Sequence, residues 1–443
     1  MTVFSAARQT PLPTRERLAL LLLVSLHVVT CCVSLIYVTR YYGGYDLFTF
    51  DAARLSPAIL TTAPLALFAF LFMLPRFSFG YLIGFYLYTM ILGYLWLAWF
   101  SNRDYPHWLA ITSAFCAMLA FLVPALFVTA PLKQRFTLSR TALEHGLLLI
   151  LVGAAIVIGV GALYNFRIVG IADVYAYRGK ISLPAPERYA MGIFVNALLP
   201  FAFACFLFLN YRWRAAAALG LLFLFYPVTL LKSTLFGPIW LLFLAALSRF
   251  FEARIAVILS LLAPVMLGVA IAPLARYGII PHESFISYFG AINFRMIAVP
   301  SIALDIYNDF FSKNDLTHFC QIGALKPFMH CPYSDSLAEI MSKNYMLGSA
   351  NASLFATEGI ASVGPMLAPL VAFGCGLVIA LANRLSSGLP SRFVLLSAGM
   401  LSQVLLNIPF ATALLSYGAA PLFVLWYITP REIFESQQSG RHP

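Results

Sequence analysis

The sequence predicts an all-α, polytopic integral membrane protein with about twelve transmembrane helices. Of its 443 residues, 61% are hydrophobic and only 10% are charged, whereas soluble domains carry roughly 25% charged residues. Apolar runs of about 17–25 residues, each long enough to cross roughly 30 Å of hydrocarbon, recur along the chain between short polar connections. We therefore expect a single membrane domain over residues 1–443.

The predicted spans follow the apolar runs in chain order. They cover residues 18–38, 57–75, 79–100, 109–130, 147–165, 190–210, 215–231, 234–248, 255–275, 361–383, 393–409 and 412–429. The last two belong to one apolar stretch that is interrupted only at residues 407–410, so the count falls to eleven if they form one span. The first span is expected to stay as an anchor, because its apolar run has no small-residue cleavage site.

The distribution of basic residues predicts the orientation, because Lys and Arg of short loops stay in the cytoplasm. With the N-terminus inside, the inner segments hold Arg8, Arg15, Arg17, Arg76, Lys133, Arg135, Arg140, Arg212, Arg214, Arg249, Arg254, Arg384, Arg392, Arg431 and Arg441. Both termini are therefore predicted to be cytoplasmic. The net charge of +11 reflects this topology, and neither a clustered basic patch nor a soluble domain indicates a nucleic-acid partner.

Two long loops, residues 164–190 and 276–350, are predicted to face outside and to carry the function, because the inner loops are short. Within the second loop, Pro300 is expected to begin a short amphipathic helix near residues 300–312. Its aromatic side, which includes Tyr307, would face the bundle, and the side with Asp305 and Asp309 would face water at the membrane surface.

Two of the seven cysteines, Cys320 and Cys331, lie in the second outer loop. In an oxidising compartment they would form a disulfide. Two free thiols, or a metal site with His318 or His330, are the alternatives, although the spacing matches no familiar zinc pattern. The other cysteines fall in apolar spans, where a thiol usually acts as a small hydrophobe.

The predicted spans carry no Asp, Glu, Lys or Arg at their centres, and His27 is the one ionisable candidate there. Coupled transporters generally place acids or bases inside the membrane, and no matching pair of broken helices is evident in the two halves. The pattern disfavours a coupled transporter and leaves a passive flippase open.

Five cationic residues are predicted near the outer membrane surface: Arg178, Lys180, Lys232, Arg276 and Arg295. An ammonium group and a bidentate guanidinium together suit the spread charge of a diphosphate. Two less specific interpretations stay open. Lys232 would simply mark a turn between spans, and Arg295 would extend to lipid phosphates.

Residues 351–370 form a third feature, a polar edge that leads into the tenth predicted span. Asn351 and Glu358 stand on this edge, and Glu358 is expected near lipid depth with a positive partner, either Arg295 or Arg276. The alternative is a helix N-terminus with solvated polar side chains.

Four stretches in this order resemble the Wzy-type oligosaccharide repeat-unit polymerases of bacterial O-antigen, capsule and exopolysaccharide pathways. They are "DVYAYRGK" (173–180), "LLKSTLFGPI" (230–239), "FRMIAVPSIALDIYNDFF" (294–311) and "NASLFATEGIASVG" (351–364). The resemblance covers the chain from about residue 160 onward.

The resemblance implies a helical lipid-glycan transferase of GT-C-like architecture in the bacterial inner membrane, with a periplasmic active site and no metal or other cofactor. Its partners would be polyprenyl-diphosphate-linked oligosaccharides, membrane lipids and a chain-length-regulating co-polymerase. Cations would stabilise the departing diphosphate, other polar residues would bind substrate, and an acid or a histidine would act as general base. The first group is Arg295, Lys232 and Arg178; the second is Arg276, Tyr307, Asn351, Tyr177, Lys180 and His330; the third is Asp173, Asp305, Glu358 and His330.

Two other functions are compatible with this pattern. O-antigen ligases, which transfer finished glycan to lipid A core, share the architecture, and His318 and His330 keep that alternative open. A passive lipid-glycan flippase would need no reactive constellation.

Overall fold

The structure, a computed structural model, describes residues 14–42, 47–170, 173–179, 181–346 and 353–434. Two predicted site residues, Lys180 and Asn351, lie outside these ranges. The described residues form no β-strand and contain ten helices long and apolar enough to cross a membrane. The prediction of an all-α, multi-pass membrane protein is therefore confirmed.

The helices are named here in chain order. The first nine are α1 (Thr14–Tyr41), α2 (Leu55–Leu67), α3 (Phe70–Met73), α4 (Phe79–Leu97), α5 (His107–Phe127), α6 (Arg140–Tyr164), α7 (Val174–Arg178), α8 (Ala185–Ile193) and α9 (Leu199–Phe208). The next six are α10 (Arg212–Leu224), α11 (Tyr226–Thr229), α12 (Lys232–Phe250), α13 (Ala253–Arg276), α14 (His282–Phe289) and α15 (Val299–Phe311). The last six are α16 (Leu337–Tyr345), α17 (Ala361–Ser386), α18 (Ser391–Ser397), α19 (Gly399–Asn407), α20 (Phe410–Leu415) and α21 (Ala419–Ile428).

Helix α4 is the central helix of the bundle, and each of its residues is buried. It begins at Ser78, whose hydroxyl accepts a hydrogen bond from the Tyr81 N–H, an N-cap that satisfies one of the free donors of the first turn. The helix is apolar on all sides, as expected for a helix surrounded by others. Helices α1, α2, α5, α15 and α17 pack around it.

Helices α1 and α4 run in the same direction, and their C-terminal ends lie at one face of the bundle. The connection after α1 pairs with the end of α4, where the Thr49 N–H donates to the Phe100 carbonyl at 2.9 Å. We call this the outer face, because the charge pattern predicts it to lie outside.

Two parts of the bundle differ from the predicted spans. The expected span 215–231 ends early, because the chain breaks after α10 and Leu230 adopts a left-handed conformation. The last two expected spans, 393–409 and 412–429, are built from the four short helices α18 to α21. The break at Ile408, in extended conformation before Pro409, matches the interruption seen in the sequence.

The expected surface helix near residues 300–312 is instead the buried C-terminal part of a long helix, His282–Phe311, which we call the outer segment. Asp305 and Asp309 were expected to face water, but both are buried, and so is Asn308. Helix α15, with Pro300 in its first turn, matches the predicted helix. Its expected exposure at the surface was wrong, because neighbouring elements supply polar partners for these side chains, which an amphipathic pattern does not reveal.

Both ends of the outer segment lie at the outer face. Near its start, the ring of Phe285 lies 5.6 Å from that of Tyr41 at the end of α1. Near its end, Asp305 accepts a hydrogen bond from Ser101, just beyond α4. The outer segment is long enough to cross the bilayer. Its contacts nevertheless place both of its ends at the same face of the bundle.

The middle of the outer segment lies deeper. The Asn293 side chain donates a hydrogen bond to the Ser34 hydroxyl at 2.9 Å. Because a helix rises 1.5 Å per residue, Ser34 lies about 10 Å from the C-terminal end of α1, toward the interior of the bundle. Residues Gly290–Ala298 form a π-helix just before Pro300. Because proline cannot donate a backbone hydrogen bond, the wider turn lets the helix continue through this position.

A second segment also turns back within the bundle. Residues 353–363 form a short helical arm that ends at Gly364, whose φ of 76° and ψ of 169° separate it from the rest of α17. A Cβ on Gly359 would lie 3.1 Å from the Ala368 Cβ, so the arm packs closely against α17. We call residues 353–363 the hairpin arm. The hairpin arm runs from the interior of the bundle to the outer face. The rest of α17 begins there and runs back through the bundle.

Candidate active site

The outer segment carries a buried ion pair that sequence reasoning missed. Asp305 lies 3.3 Å from the Nε of Arg103, which belongs to the connection between α4 and α5. Its carboxylate also accepts hydrogen bonds from the Ser101 hydroxyl at 2.9 Å and the Tyr105 hydroxyl at 2.5 Å. A charge removed from water needs such partners, and the connection supplies three of them from five consecutive residues.

The Tyr105 hydroxyl is part of a wider buried network. It lies 3.3 Å from the Tyr94 hydroxyl, which in turn accepts from the Asn308 side chain at 3.1 Å. Burial raises the pKa of Tyr105 well above its ordinary value, and the neighbouring Tyr94 and Asp305 act in the same direction. Tyr105 is therefore a neutral hydroxyl at physiological pH.

A second carboxylate one turn further along the outer segment fastens α16 to the bundle. Asp309 accepts from the Tyr345 hydroxyl and from Lys313, both at 2.7 Å. The guanidinium of Arg103 lies 4.5 Å from the centre of the Tyr345 ring, within cation–π range. Burial, and then the hydrogen bond to Asp309, raise the pKa of Tyr345, so its hydroxyl also stays a donor.

The hairpin arm contributes a third buried carboxylate, Glu358. One oxygen accepts from the Ala411 N–H at 3.0 Å, and the other accepts from the Thr357 hydroxyl. The expected ion pair with Arg295 or Arg276 is not formed, since both arginines are exposed and Glu358 is buried. The prediction placed the acid at the membrane entrance, whereas the arm carries it into the bundle.

Tyr307 lies in α15, which packs against the hairpin arm. Its phenol interacts electrostatically with Glu358, and its hydroxyl is fully buried without a hydrogen-bond partner among the described residues. The structure thus brings together two of the predicted site residues, Glu358 and Tyr307, from the hairpin arm and the outer segment.

A small cavity of about 180 Å³ separates α5, the outer segment and the start of α17. Tyr105 and Asn308 are among the polar residues that line it, and Phe311 and Ile360 are among the apolar ones. Pro106, Leu109, Ser312 and Pro365 also line it. Leu109 is 40% exposed, which places the mouth of the cavity at the side of the bundle.

The first outer loop forms a separate group around α7. Arg167 and Asp173 line an open cleft of about 500 Å³ together with Tyr177, and the Arg167 guanidinium lies 5.7 Å from the Tyr177 ring centre. The cleft therefore brings together Asp173, a predicted catalytic acid, and Tyr177, a predicted substrate-binding residue. Arg167 was not predicted.

This loop packs on the turn before Lys232. Val174 of α7, Tyr226 and Leu230 form a small apolar cluster, so Arg178 and Lys232 belong to elements that touch. Arg178 is exposed and interacts electrostatically with Tyr417, between α20 and α21. The loop and the turn thus place two of the three predicted diphosphate-binding cations on one side of the bundle.

The other predicted site residues are more dispersed. Arg295 is exposed on the π-helical part of the outer segment, which packs against α1, α4 and α13. Arg276 is exposed at the end of α13, and His330 is exposed in the second outer loop. The convergence of Arg295 with Arg178 and Lys232 stays a prediction.

The second outer loop is closed by a disulfide between Cys320 and Cys331, whose Cα atoms lie 5.3 Å apart. His330 therefore directly precedes a disulfide-bonded cysteine. Within the described ranges, no group of three His, Cys, Asp or Glu side chains is placed to hold a metal ion.

One signal in the sequence could have indicated the buried pair. The stretch "SNRDYPH", residues 101–107, concentrates an arginine, an aspartate, a tyrosine and a histidine in one short connection. The His107 ring donates a hydrogen bond from Nε2 to the Arg103 carbonyl, 3.0 Å away. So many charged and polar residues are unusual in a simple turn between spans. The partner aspartate, Asp305, lies 202 positions later in the chain, so the stretch alone does not indicate the pairing.

In comparisons with known proteins, no family model, no curated protein and no solved structure matches this chain.

Proposed function

We propose that this chain is a polymerase of polyprenyl-diphosphate-linked oligosaccharide repeat units, of the Wzy type, acting at the outer face of a bacterial inner membrane. The observation that carries the proposal is the pair of segments that return to the outer face, each with a buried acid. Asp305 lies on the outer segment and Glu358 on the hairpin arm. Ionisable groups inside a membrane bundle are costly and generally serve function.

The chemistry divides between two groups of residues. A hydroxyl of the incoming repeat unit attacks the anomeric carbon of the growing chain, and polyprenyl diphosphate leaves with the bonding electron pair. The hydroxyl proton passes to a carboxylate that acts as general base, for which Asp173, Asp305 and Glu358 are the candidates. Arg178 and Lys232 stabilise the leaving diphosphate from the side of the first outer loop, and Arg295 of the outer segment is proposed as a third cation. Preorganised charge of this kind is commonly the largest catalytic contribution.

The buried acids favour a second candidate function, ion-coupled transport of a lipid-linked glycan. The predicted spans contained no central acid, but Asp305, Asp309 and Glu358 are buried within helices that qualify as spans. The short helices α18 to α21 also break the C-terminal part of the bundle. Both features are typical of coupled transporters, so the experiment must separate transfer from transport.

The test is reconstitution of the purified full-length protein in liposomes with lipid-linked repeat units extracted from a source strain that lacks the gene. A polymerase produces a ladder of longer lipid-linked glycans and releases polyprenyl diphosphate. A ligase consumes the units only when lipid A core is added. A transporter moves the units between leaflets in response to a pH gradient and leaves their length unchanged.

Variants test the assigned cations in the same assay. Arg178→Ala and Lys232→Ala are expected to slow ladder formation by about 10²–10³-fold, the usual loss when one preorganised charge-stabilising donor is removed. Arg212→Ala, which removes an exposed arginine at the start of α10, serves as the control and should leave the ladder unchanged. Normal ladders from both outer variants would contradict the assignment.

A further inference from the structure

The loop closed by the Cys320–Cys331 disulfide presents apolar side chains that the proposed reaction does not use. Residues 323–330, which we call the loop tip, are all exposed, and Phe328 is 85% exposed. Leu325 and Met329 are exposed on either side of it in the sequence. Large apolar side chains grouped in this way on a surface mark a contact with a membrane or with another protein.

The base of this loop is fixed to the bundle at both of its ends. Before the disulfide, the Thr317 N–H donates to the Ala361 carbonyl at 2.8 Å, at the end of the hairpin arm. After the disulfide, the ring of Tyr333 lies 5.9 Å from that of Phe310 in α15. Since the disulfide joins the two ends, the loop tip extends from a fixed base.

The base of the loop lies where a lipid-facing surface begins. A Cβ on Gly364, at the turn into the rest of α17, would lie 3.6 Å from the Leu316 side chain. Just after this turn, Met366 is 79% exposed, and Leu367 and Leu370 are also exposed. Because this helix is long and apolar enough to cross a membrane, its exposed apolar side faces lipid. The loop base therefore lies at the height at which α17 leaves the lipid.

The charges of the loop favour a phospholipid surface as the partner. Between Cys320 and Cys331 the ionisable residues are Lys326 and His330, and this stretch contains no Asp or Glu. Lys326 is exposed beside the apolar side chains, so its ammonium group can reach lipid phosphates while Phe328 lies among the acyl chains. Anionic headgroups attract a lysine at the membrane surface. The loop tip thus matches both layers of a phospholipid leaflet.

We propose that the loop tip inserts into the outer leaflet, with Phe328 among the acyl chains and Lys326 at the phosphates of anionic phospholipids. The inserted tip holds the second outer loop on the membrane beside the outer end of α17. This interaction does not depend on the proposed polymerase activity, and it is tested without lipid-linked substrate.

The experiment measures the depth of a nitroxide label in nanodiscs that contain phosphatidylglycerol. Ala324→Cys places the label in the loop tip and keeps Phe328, in the full-length protein with Cys116→Ala and the disulfide oxidised. The measured ratio divides the label's collision rate with molecular oxygen, which concentrates in hydrocarbon, by its collision rate with a water-soluble nickel chelate. Ser334→Cys, at an exposed position beyond the disulfide, is the control in water, and Leu370→Cys on α17 is the control in lipid.

We expect the ratio at position 324 to exceed the ratio at position 334 several-fold and to approach the ratio at position 370. Adding Phe328→Ser should lower it to the value at position 334, because the apolar anchor is lost. Replacing phosphatidylglycerol by phosphatidylcholine should also lower it, because Lys326 loses its anionic partner.

Three results contradict the proposal. Equal ratios at positions 324 and 334 would place the loop tip in water and overturn the insertion. A high ratio that Phe328→Ser leaves unchanged would overturn the role of Phe328 as the anchor. Spin–spin broadening between labels at position 324 would show that a second copy of the chain, and not lipid, covers the loop tip.

Discussion

At the residue scale, the Arg103–Asp305 pair shows how this bundle accommodates charge. Asp305 receives two hydroxyl hydrogen bonds besides the guanidinium, so three partners oppose the cost of its desolvation. The side chain of Arg103 is only 16% exposed, and it lies against the Tyr345 ring as well. A buried pair with this geometry tolerates the loss of neither partner alone, because the remaining charge would be left without compensation.

Removing Arg103 should therefore destabilise the protein strongly. We expect Arg103→Ala to lower the free energy of unfolding by about 3–5 kcal/mol. The double variant Arg103→Ala/Asp305→Ala should lose less than the sum of the two single variants, with a coupling of about 0.5–3 kcal/mol. Equilibrium unfolding in mixed micelles, followed by tryptophan fluorescence, measures all three.

An exposed pair provides the control for this prediction. Arg140 and Glu144 lie 3.1 Å apart in α6, and the Arg140 side chain is 64% exposed. Arg140→Ala should leave the unfolding midpoint nearly unchanged, because exposed ion pairs contribute little to stability. Strictly additive losses in the Arg103–Asp305 cycle would show that the pair is not energetically coupled.

The same pair marks a limit of sequence-based prediction. Glu358 was predicted as a candidate catalytic acid because of its position at a span, but its partner was misassigned because local hydropathy does not indicate depth inside the bundle. Arg103 was missed because its partner comes from a distant segment. Single residues of the right type can be selected from the sequence, whereas their pairing depends on the packing of α4, α5 and the outer segment.

At the element scale, the hairpin arm depends on one glycine. Gly364 has a φ of 76° and a ψ of 169°, a backbone conformation that is nearly restricted to glycine. The nearest atom to a Cβ at this position, on Leu316, is 3.6 Å away. Space is therefore available, and the conformation itself is what a larger residue would oppose.

Gly364→Ala is expected to destabilise the protein by about 1–3 kcal/mol through backbone strain. Gly374→Ala is the matched control, because Gly374 lies in the helical part of α17 with open space around it. Alanine there should be neutral or slightly stabilising, since glycine weakens a helix interior. Unfolding midpoints that fall equally in both variants would show that the turn at Gly364 has no special requirement.

The elements also show which sequence signals were sufficient to predict a membrane span. The apolar runs of α1, α4, α5, α6 and α13 are long and uninterrupted, and the predicted spans overlap them. The C-terminal part of the outer segment was predicted to lie at the membrane surface, because its acids fall on one helical face. That face instead contacts Ser101, Tyr105 and Tyr345 from other elements. Amphipathicity reports that a helix has a polar side, but it does not distinguish water from buried polar partners.

At the scale of the whole molecule, the outer segment decides how the chain is threaded through the membrane. A hydropathy window counts His282–Phe311 as a span, whereas its contacts place both ends at the outer face. If the segment crossed, every later element would change sides. The parallel packing of α17 on α5 supports the return, since Ser113 contacts Pro365 near the outer ends of both helices and Asn383 contacts the Ala125 carbonyl near their inner ends.

This threading can be tested by labelling from one side of the membrane. Single cysteines replacing Ile279 and Ser312, both exposed beside the two ends of the outer segment, should react with a membrane-impermeant maleimide from the same side. A cysteine replacing Phe136, in the exposed connection between α5 and α6, should react only from the opposite side. Cys116 is exposed and is replaced by alanine in each variant, and the Cys320–Cys331 disulfide is left oxidised. Labelling of the Ile279 and Ser312 positions from opposite sides would mean that the segment crosses the bilayer, and the acids Asp305 and Glu358 would then no longer share the face on which the proposed transfer takes place.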